Sequence, residues 1–330
     1  MKWGIMATGS IAQKFASTVN RMTDEGEILQ AVASRTKESA ENFARQHRIP
    51  EVFDSYKAMA ESDSVDVIYI ATPNNMHYEN VKMCLLAGKH VLCEKPFTTS
   101  AAQAQELYAL AEEKGLFLME GFWIRFLPVL QKMQELITEG KLGEIRYIRS
   151  EYGFVATGDR KVRKFNPQLG GGALLDIGIY NLGFLNMIMG KNPDSFTSDV
   201  HMTDVGTDDF SVIHLHYPQE NGQGTEAVVT TAIGLDIQRK AAVIGTKGSI
   251  YLDDFQKAET MTVSLSDGEE YEIEIPFEIN GFEYQIREAS NCIRAGRTHS
   301  GIYTPQMSLQ TLLLIDDIRA SWDMKFPFEK

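Results

Sequence analysis

A short segment near the start of the chain has the residue types and spacing that hold a dinucleotide pyrophosphate. Residues 7–12, ATGSIA, follow an apolar run and have the pattern A-x-G-x-x-A. In the dinucleotide fingerprint, a small residue at the position of Gly9 allows the backbone to approach the phosphates, and a small residue at the position of Ala12 allows the helix to pack on the sheet. Ala7 replaces the first glycine of the turn. The alternative is a structural tight turn, but we expect nucleotide contacts from Ala7, Thr8, Gly9, Ser10 and Ile11.

The residues that follow the second predicted strand favour NADP over NAD. A carboxylate there would accept hydrogen bonds from the adenosine ribose of NAD. The strand instead ends in Ala33, Ser34 and Arg35, and the first acidic residue is Glu38. A guanidinium beside a hydroxyl suits a 2′-phosphate, which a carboxylate would repel. We predict that Ser34 and Arg35 bind NADP, with NAD possible; the alternative is that Arg35 is an ordinary surface cation.

A parallel sheet is needed to position these loops. Over the first 120 residues, short apolar runs alternate with helical ones, which is typical of βαβ units with both sheet faces covered. The predicted strands are Lys2–Ala7, Ile28–Ala33, Val65–Ala71, His90–Glu94 and Phe117–Met119, and the predicted helices are Ile11–Val19, Lys37–His47, Met76–Ala87 and Ser100–Lys114. We predict an α/β Rossmann domain, a doubly wound parallel sheet, over residues 1–122.

The second part of the chain predicts a different architecture. Most of its apolar runs are strand-like, and residues 271–279 alternate apolar with mainly acidic residues, which indicates one apolar and one polar face. The predicted strands are Ile145–Phe154, Phe210–Tyr217, Thr225–Gly234, Arg239–Ile244, Thr260–Leu265 and Tyr271–Ile279; the predicted helices are Leu127–Glu139, Ala173–Met189 and Phe282–Ala295. We predict an α+β domain with a large, mostly antiparallel open sheet over residues 123–330, and a C-terminal helix, residues 305–322, that packs back toward the first domain.

Two further polar segments follow predicted strands, at the edge where open α/β sheets bind ligands. They are residues 71–77, ATPNNMH, and residues 93–96, CEKP. Residues 88–96, GKHVLCEKP, resemble the Gfo/Idh/MocA oxidoreductases, in which a strand ending in Glu-Lys-Pro presents its lysine to nicotinamide and substrate. The Thr-Pro-Asn-x-x-His segment, residues 123–126 (WIRF) and residues 170–180 (GGGALLDIGIY) extend the resemblance over the whole chain.

The resemblance implies that Lys95, Asp176 and Tyr180 are catalytic. In this family a helix delivers an aspartate and then a histidine or tyrosine opposite the lysine. Asp176 and Tyr180 are four residues apart and would share one helix face. Tyrosine at this place is similar to the dihydrodiol dehydrogenase and NADP-dependent xylose dehydrogenase branch. The alternatives are a surface lysine, a helix-capping aspartate and a core tyrosine.

The chemistry of these residue types is consistent with that assignment. Hydride leaving a carbinol carbon needs a group that removes the hydroxyl proton. A phenol is a poor base at neutral pH unless a neighbouring ammonium stabilises the phenolate. Lys95 would supply that charge, and Asp176 would orient the substrate and keep Lys95 charged.

Further contacts complete the predicted site, each with an ordinary structural alternative such as core packing, an ion pair or a helix end. For the cofactor these are Thr72, Pro73, Asn74, His77, Glu94, Lys95, Trp123 and Arg125; for the substrate they are Trp123, Phe154, Asp176 and Phe277.

Composition bounds the class of protein. The chain has 330 residues and a formal net charge of −13, which argues against a sequence-independent nucleic-acid binder and against a polybasic membrane anchor. It has no signal core, no uninterrupted apolar stretch of membrane length and only three scattered cysteines. We expect a cytoplasmic protein without a metal, and a homodimer or higher homo-oligomer formed through the open sheet.

The predicted function is an NADP-dependent oxidoreductase that transfers hydride between nicotinamide and a secondary hydroxyl or carbonyl of a sugar or cyclic trans-diol. The alternatives are a non-catalytic NAD(P)-binding regulator of the same fold and an inositol-type NAD-dependent dehydrogenase. A further alternative keeps the catalysis but recycles a tightly held cofactor within one turnover.

Overall fold

The computed structural model describes residues 1–218 and 223–329, with Arg160 described by its backbone alone. Its contacts divide the chain into two compact units. The first contains Met1–Trp123 and Glu278–Leu309, and the second contains Ile124–Phe277 and Gln310–Lys330. The break after Trp123 lies next to the predicted boundary, whereas residues 278–309 interrupt the predicted domain 123–330.

The first unit contains a six-stranded parallel sheet. Its strands are β1 (Lys2–Met6), β2 (Ile28–Ala33), β3 (Glu51–Phe53), β4 (Val67–Ile70), β5 (His90–Glu94) and β6 (Leu118–Gly121), in the order β3-β2-β1-β4-β5-β6. Every neighbouring pair is parallel. The order reverses between β1 and β4, which is where doubly wound sheets bind ligands. The predicted Rossmann sheet is confirmed.

Helices connect these strands as the alternation predicts. They are α1 (Ser10–Val19), α2 (Lys37–His47), α3 (Tyr56–Ala60), α4 (His77–Leu86) and α5 (Ala101–Lys114). The side chains of Thr36, Ser55 and Ser100 accept hydrogen bonds from first-turn amides and so begin α2, α3 and α5. The sequence did not indicate β3 and α3, which have three and five residues, because such short elements carry little periodic signal.

The second unit contains an eight-stranded sheet. Its order is β14-β13-β12-β11-β7-β10-β9-β8. Only β7 and β10 are parallel neighbours, and the remaining pairs are antiparallel. The strands are β7 (Ile145–Phe154), β8 (Ser195–Met202), β9 (Asp208–Tyr217), β10 (Thr225–Ile233), β11 (Ala241–Gly245), β12 (Gly248–Leu252), β13 (Thr260–Leu265) and β14 (Glu270–Glu274). The predicted large, mostly antiparallel sheet is confirmed.

Helices precede, interrupt and follow this sheet. They are α6 (Pro128–Thr138), α7 (Gly158–Lys164), a π-helical turn (Leu174–Gly178), α8 (Ile179–Met189), α9 (Glu283–Arg294) and α10 (Pro305–Ser321). Short 3₁₀ turns lie at Thr23–Glu25, Asn74–Met76, Trp123–Phe126, Pro167–Leu169 and Phe255–Lys257. The segment Pro167–Met189 is long and apolar enough to cross a membrane, but 89% of its apolar window is buried inside the protein, as expected of a core helix.

Two expectations need correction. The predicted strand Tyr271–Ile279 ends at Glu274, because Pro276 has no amide to continue the ladder and the Phe277 amide bonds the Glu259 side chain at 2.6 Å. Residues 278–309 join the first unit because α9 packs there: the Ser290 hydroxyl donates to the buried Glu27 carboxylate at 2.7 Å.

Candidate active site

The loop between β1 and α1 has room for a ligand. Ala7 has a φ of 82°, a left-handed conformation that normally favours glycine, and its amide donates to the Ala33 carbonyl at 2.9 Å. Gly9 is the N-cap of α1 and has an ordinary φ of −72°, so its backbone does not require glycine. Apart from Gly9 and its two chain neighbours, no heavy atom of the described residues lies within 4 Å of the place where a Cβ of Gly9 would be. This open space beside the helix N-terminus fits a dinucleotide pyrophosphate.

The residues after β2 lie beside this loop. The Ser34 hydroxyl is buried and lies 3.4 Å from the Thr8 hydroxyl, which connects the two predicted nucleotide segments. Arg35 is exposed at the strand end. Its charge acts on Tyr56, whose pKa is raised mainly by burial and is lowered in part by Arg35. The Arg35 side chain is therefore accessible to solvent, one residue after Ser34.

His77 connects the two polar segments that follow β4 and β5. It is fully buried, with Nδ1 2.8 Å from the Pro96 carbonyl oxygen and Nε2 2.8 Å from the Thr72 carbonyl oxygen. The Asn80 amide donates to the Thr72 hydroxyl at 3.0 Å. Burial lowers the pKa of His77, and the facing carbonyls oppose that effect. The His77 ring thus connects the loop that follows β4 with the loop that follows β5.

Two buried carboxyl groups flank Lys95. Glu94 accepts from the Tyr69 hydroxyl and, at 3.3 Å, from the Lys95 amide. Glu120 accepts from the Phe97 amide at 3.1 Å, and from the hydroxyls of Tyr303 at 2.9 Å and Ser308 at 2.5 Å. Burial raises the pKa of both carboxyl groups. Glu94 and Glu120 each accept a hydrogen bond from a backbone amide next to Lys95 or near it, and these bonds hold the turn that carries Lys95.

Trp123 and Arg125 lie on either side of the boundary between the units. Trp123 is buried in the first unit, with the Lys14 ammonium 4.1 Å from its ring centroid. Arg125 belongs to the second unit, where its guanidinium lies 3.5 Å from the Met187 carbonyl. Both remain predicted cofactor contacts.

Asp176 and Tyr180 are buried in the second unit. Asp176 lies in the π-helical turn and Tyr180 in the first turn of α8, with exposed fractions of 9% and 5%. The sequence predicted a single α-helix here. Gly178 permits the π turn to lie against β10, because a Cβ there would be 3.1 Å from Leu174 and 3.3 Å from Thr231. Such turns are frequent at functional sites.

Two charged side chains that the sequence analysis missed hold this segment. The Lys164 ammonium donates to Asp176 Oδ2. The carboxylate of Asp208, fully buried, accepts from the Leu174 amide at 2.6 Å. Asp208 is the first residue of β9, and Lys164 is the last residue of α7. Both lie on elements other than that of Asp176, so the spacing of residues along the sequence did not indicate either contact.

Aromatic rings lie next to Tyr180. The Tyr152 and Tyr180 ring centroids are 5.9 Å apart, and those of Tyr152 and Phe154 are 6.4 Å apart. Phe154 packs against a buried cluster that includes Ile177. A cavity of about 570 Å³ is lined by Tyr152 and Phe154 together with charged residues, which are Arg239, Lys240, Asp253 and Asp254. Phe277 follows β14 in the sequence, and its backbone amide donates a hydrogen bond to the Glu259 carboxylate.

Among the described residues, no group of three or more histidine, cysteine, aspartate or glutamate side chains has an arrangement that could hold a metal ion.

Comparisons with known proteins agree with this architecture. Residues 1–122 match the model of the oxidoreductase family with an NAD-binding Rossmann fold, and residues 130–251 match the Gfo/Idh/MocA C-terminal domain. The chain is 33% identical over 336 residues to trans-1,2-dihydrobenzene-1,2-diol dehydrogenase of Xenopus laevis, covering 99% of both chains. It is 32% identical over 337 residues to the human enzyme of that name, covering 100% of this chain and 99% of the relative.

Two solved structures are similar over nearly the whole chain. A 3-ketoreductase from Actinomadura kijaniata, in complex with NADP and TDP-benzene, has a TM-score of 0.85 at 26% identity over 97% of each chain. An aldose-aldose oxidoreductase from Caulobacter crescentus, complexed with glycerol, has a TM-score of 0.85 at 27% identity over 98% of each chain. The prediction of an enzyme of the dehydrogenase or reductase class is confirmed. The chain belongs to the Gfo/Idh/MocA family of oxidoreductases.

Proposed function

We propose that this chain is an NADP-dependent oxidoreductase that oxidises a secondary hydroxyl of a cyclic trans-diol or sugar, or reduces the corresponding carbonyl. One observation carries the proposal: a carboxylate, Asp176, and a phenol, Tyr180, are buried one turn apart, with Asp176 in a π-helical turn of a kind that is frequent at functional sites. The curated relatives act, by their name, on a cyclic trans-diol.

NADP is the proposed cofactor. The space at Gly9 suits the pyrophosphate, and Arg35 stands where a carboxylate would favour NAD. The similar 3-ketoreductase was crystallised with NADP. When bound, NADP⁺ supplies the hydride acceptor, and the backbone of residues 7–11, with Ser34 and Arg35, would hold its phosphates.

The remaining residues would handle the proton and the substrate. As the substrate hydroxyl becomes a carbonyl, Tyr180, present as the phenolate, would take up the hydroxyl proton. Lys95 would stabilise the phenolate, since an unassisted phenol has a pKa of about 10. Asp176 would bind a substrate hydroxyl and fix which carbon faces the cofactor.

The aromatic side chains support a ring-shaped substrate. Tyr152 and Phe154 line the cavity in the second unit, and the Tyr152 ring centroid lies 5.9 Å from that of Tyr180, which does not itself line the cavity. Sugars and cyclic diols present C–H faces that pack on such rings. Trp123 and Phe277 stay predicted substrate contacts.

A cofactor reduction screen tests the proposal. NADP⁺ reduction is followed at 340 nm with cyclic trans-diols, pentoses, hexoses and inositols, each with NAD⁺ as the comparison. We expect turnover with NADP⁺ and a trans-diol or sugar. Cofactor binding without turnover of any compound would instead favour a non-catalytic regulator, and turnover of inositols with NAD⁺ would favour an inositol-type dehydrogenase.

The similarity to an aldose-aldose oxidoreductase favours a second candidate function. In such a reaction one sugar would be oxidised and another reduced on a retained cofactor. Mass spectrometry of the purified, denatured protein distinguishes the candidates: stoichiometric bound NADP(H) supports recycling, and its absence supports release in each turnover. The cytoplasmic location and the homodimer through the open sheet stay predictions.

A further inference from the structure

Lys164 is the inward-facing cation of a basic helix. Helix α7 has three basic residues in its last turn, and two of them, Lys161 and Arg163, are exposed. Lys164 differs, because its side chain is 17% exposed and its ammonium bonds Asp176, whose side chain is 12% exposed. A largely buried ion pair is stable only when both partners are present, because either charge alone would be left without compensation.

The backbone holds this lysine against the turn that precedes Asp176. The Gly172 amide donates to the Lys164 carbonyl at 2.9 Å, and the Thr207 hydroxyl donates to the Phe165 carbonyl at 3.1 Å. A Cβ on Gly171 would lie 2.6 Å from the Lys164 carbonyl oxygen. Glycine is therefore required for the approach of the two segments, and the position of Lys164 relative to Asp176 is built into the fold of the second unit.

We propose that Lys164 is a positioning residue for Asp176, an inference that rests on the proposed function for its catalytic consequence. The ammonium bonds Oδ2 and so fixes the plane of the carboxylate. It also compensates the charge of Asp176 within the second unit. Asp176 then presents its substrate-binding oxygen in one orientation. Lys164 acts on turnover through Asp176 and leaves the cofactor loops in the first unit unaffected.

The pairing itself is tested without any substrate. Urea unfolding of wild type, Lys164→Met, Asp176→Asn and the double variant forms a double-mutant cycle. We expect a coupling of about tenfold or more in the unfolding equilibrium constant, as for a buried pair. Lys161→Met, on the exposed face of the same helix, serves as the matched control and should show no coupling to Asp176→Asn. Additive effects of Lys164 and Asp176 would overturn the pairing, whatever the enzyme turns over.

The catalytic consequence is tested by kinetics and by rescue. With a substrate from the screen, Lys164→Ala should lower kcat/KM about ten- to a hundredfold while the Kd for NADPH stays unchanged, and Lys161→Ala should match wild type. Propylamine should restore part of the Lys164→Ala activity and none of the Asp176→Asn activity, because the added ammonium occupies the vacated place.

The outcomes separate this inference from the proposed function. An inactive wild type that still binds NADPH, together with strong coupling, overturns the proposed function and leaves the pairing intact. An active wild type with normal kcat/KM in Lys164→Ala overturns the positioning role. A lower kcat/KM without propylamine rescue also overturns it, because that result indicates general loss of structure.

Discussion

The two units hold their predicted site residues by different physical means. In the first unit, buried side chains bond the backbone of the site loops: His77 reaches two carbonyls, and Glu120 receives three donors. In the second unit, the Asp176 segment begins at Gly172, whose φ is 120°, and lies against Asp208, whose Oδ1 has no hydrogen-bond partner among the described residues. Hydrogen bonds from buried side chains thus support the loops of the first unit, whereas close approach and charge support the Asp176 segment of the second.

This contrast predicts that substitutions in the two units separate binding, stability and chemistry. The largest effect is expected for the proposed proton-transfer residues. Tyr180→Phe and Lys95→Met should each lower kcat about 100- to 10,000-fold, the range of general acid–base catalysis, because the hydroxyl proton loses its acceptor. Steady-state NADP⁺ reduction measures this. Tyr217→Phe, at another buried tyrosine, is the control; equal losses in all three variants would contradict the assignment.

The next effect compares one glycine in each unit. In Gly172→Ala the new Cβ would lie 2.3 Å from Asp208 Oδ1 at a φ of 120°, so we expect the free energy of unfolding to fall by about 2–4 kcal/mol. In Gly9→Ala the Cβ meets open space, so stability should stay within about 0.5 kcal/mol of wild type, while NADPH binding weakens at least tenfold. Urea unfolding and fluorescence titration measure both. The opposite pattern would contradict the comparison.

Much of the first unit could be predicted because its signals are local. The Gly9 loop is defined by a strand, a short motif and a helix that are adjacent in sequence. Residues 278–309 could not be placed in this way, because the Ser290–Glu27 bond joins distant parts of the chain. Glu120 directly follows the apolar predicted strand Phe117–Met119, and an acidic residue at that position was only a weak indication that it would lie in the site.

Less of the second unit's site could be predicted. Asp176 and Tyr180 came from a motif, but the π turn depends on Gly178 packing against Thr231 of β10. Lys164 and Asp208 reach the same segment from other elements. These contacts depend on tertiary packing, and residue spacing along one element carries no information about them.

Asp208 gives the second unit a predicted pH dependence. Its pKa is raised to about 7, mainly by burial and in part by Asp209, with the Leu174 amide and Arg319 opposing this. An unfolded aspartate has a pKa of about 3.9, so between these values the folded chain binds the extra proton, and stability falls as the pH rises. From pH 4 to pH 8, wild type should lose about 4 kcal/mol relative to Asp208→Asn. Thermal midpoints of both proteins test this; parallel pH curves would contradict it.

The smallest predicted effect concerns cofactor choice in the first unit. Arg35→Ala should weaken NADPH binding about tenfold, roughly 1.4 kcal/mol, and leave NADH binding unchanged, because only NADPH carries the 2′-phosphate. Arg45→Ala, at an exposed arginine of α2, is the control. Fluorescence titration with both nucleotides decides it, and NADH binding to wild type as tightly as NADPH would contradict the role of Arg35.

The central claim is hydride transfer between a ring carbinol and nicotinamide, and isotope transfer tests it most directly. A trans-diol or sugar that is turned over in the screen is prepared with deuterium on the carbon bearing the oxidised hydroxyl and incubated with NADP⁺ and enzyme. Mass spectrometry of the nucleotide should show NADPH carrying one deuterium at C4, with the label strongly reduced in Tyr180→Phe at equal time. Unlabelled NADPH, or labelled product formed equally by Tyr180→Phe, would contradict the account.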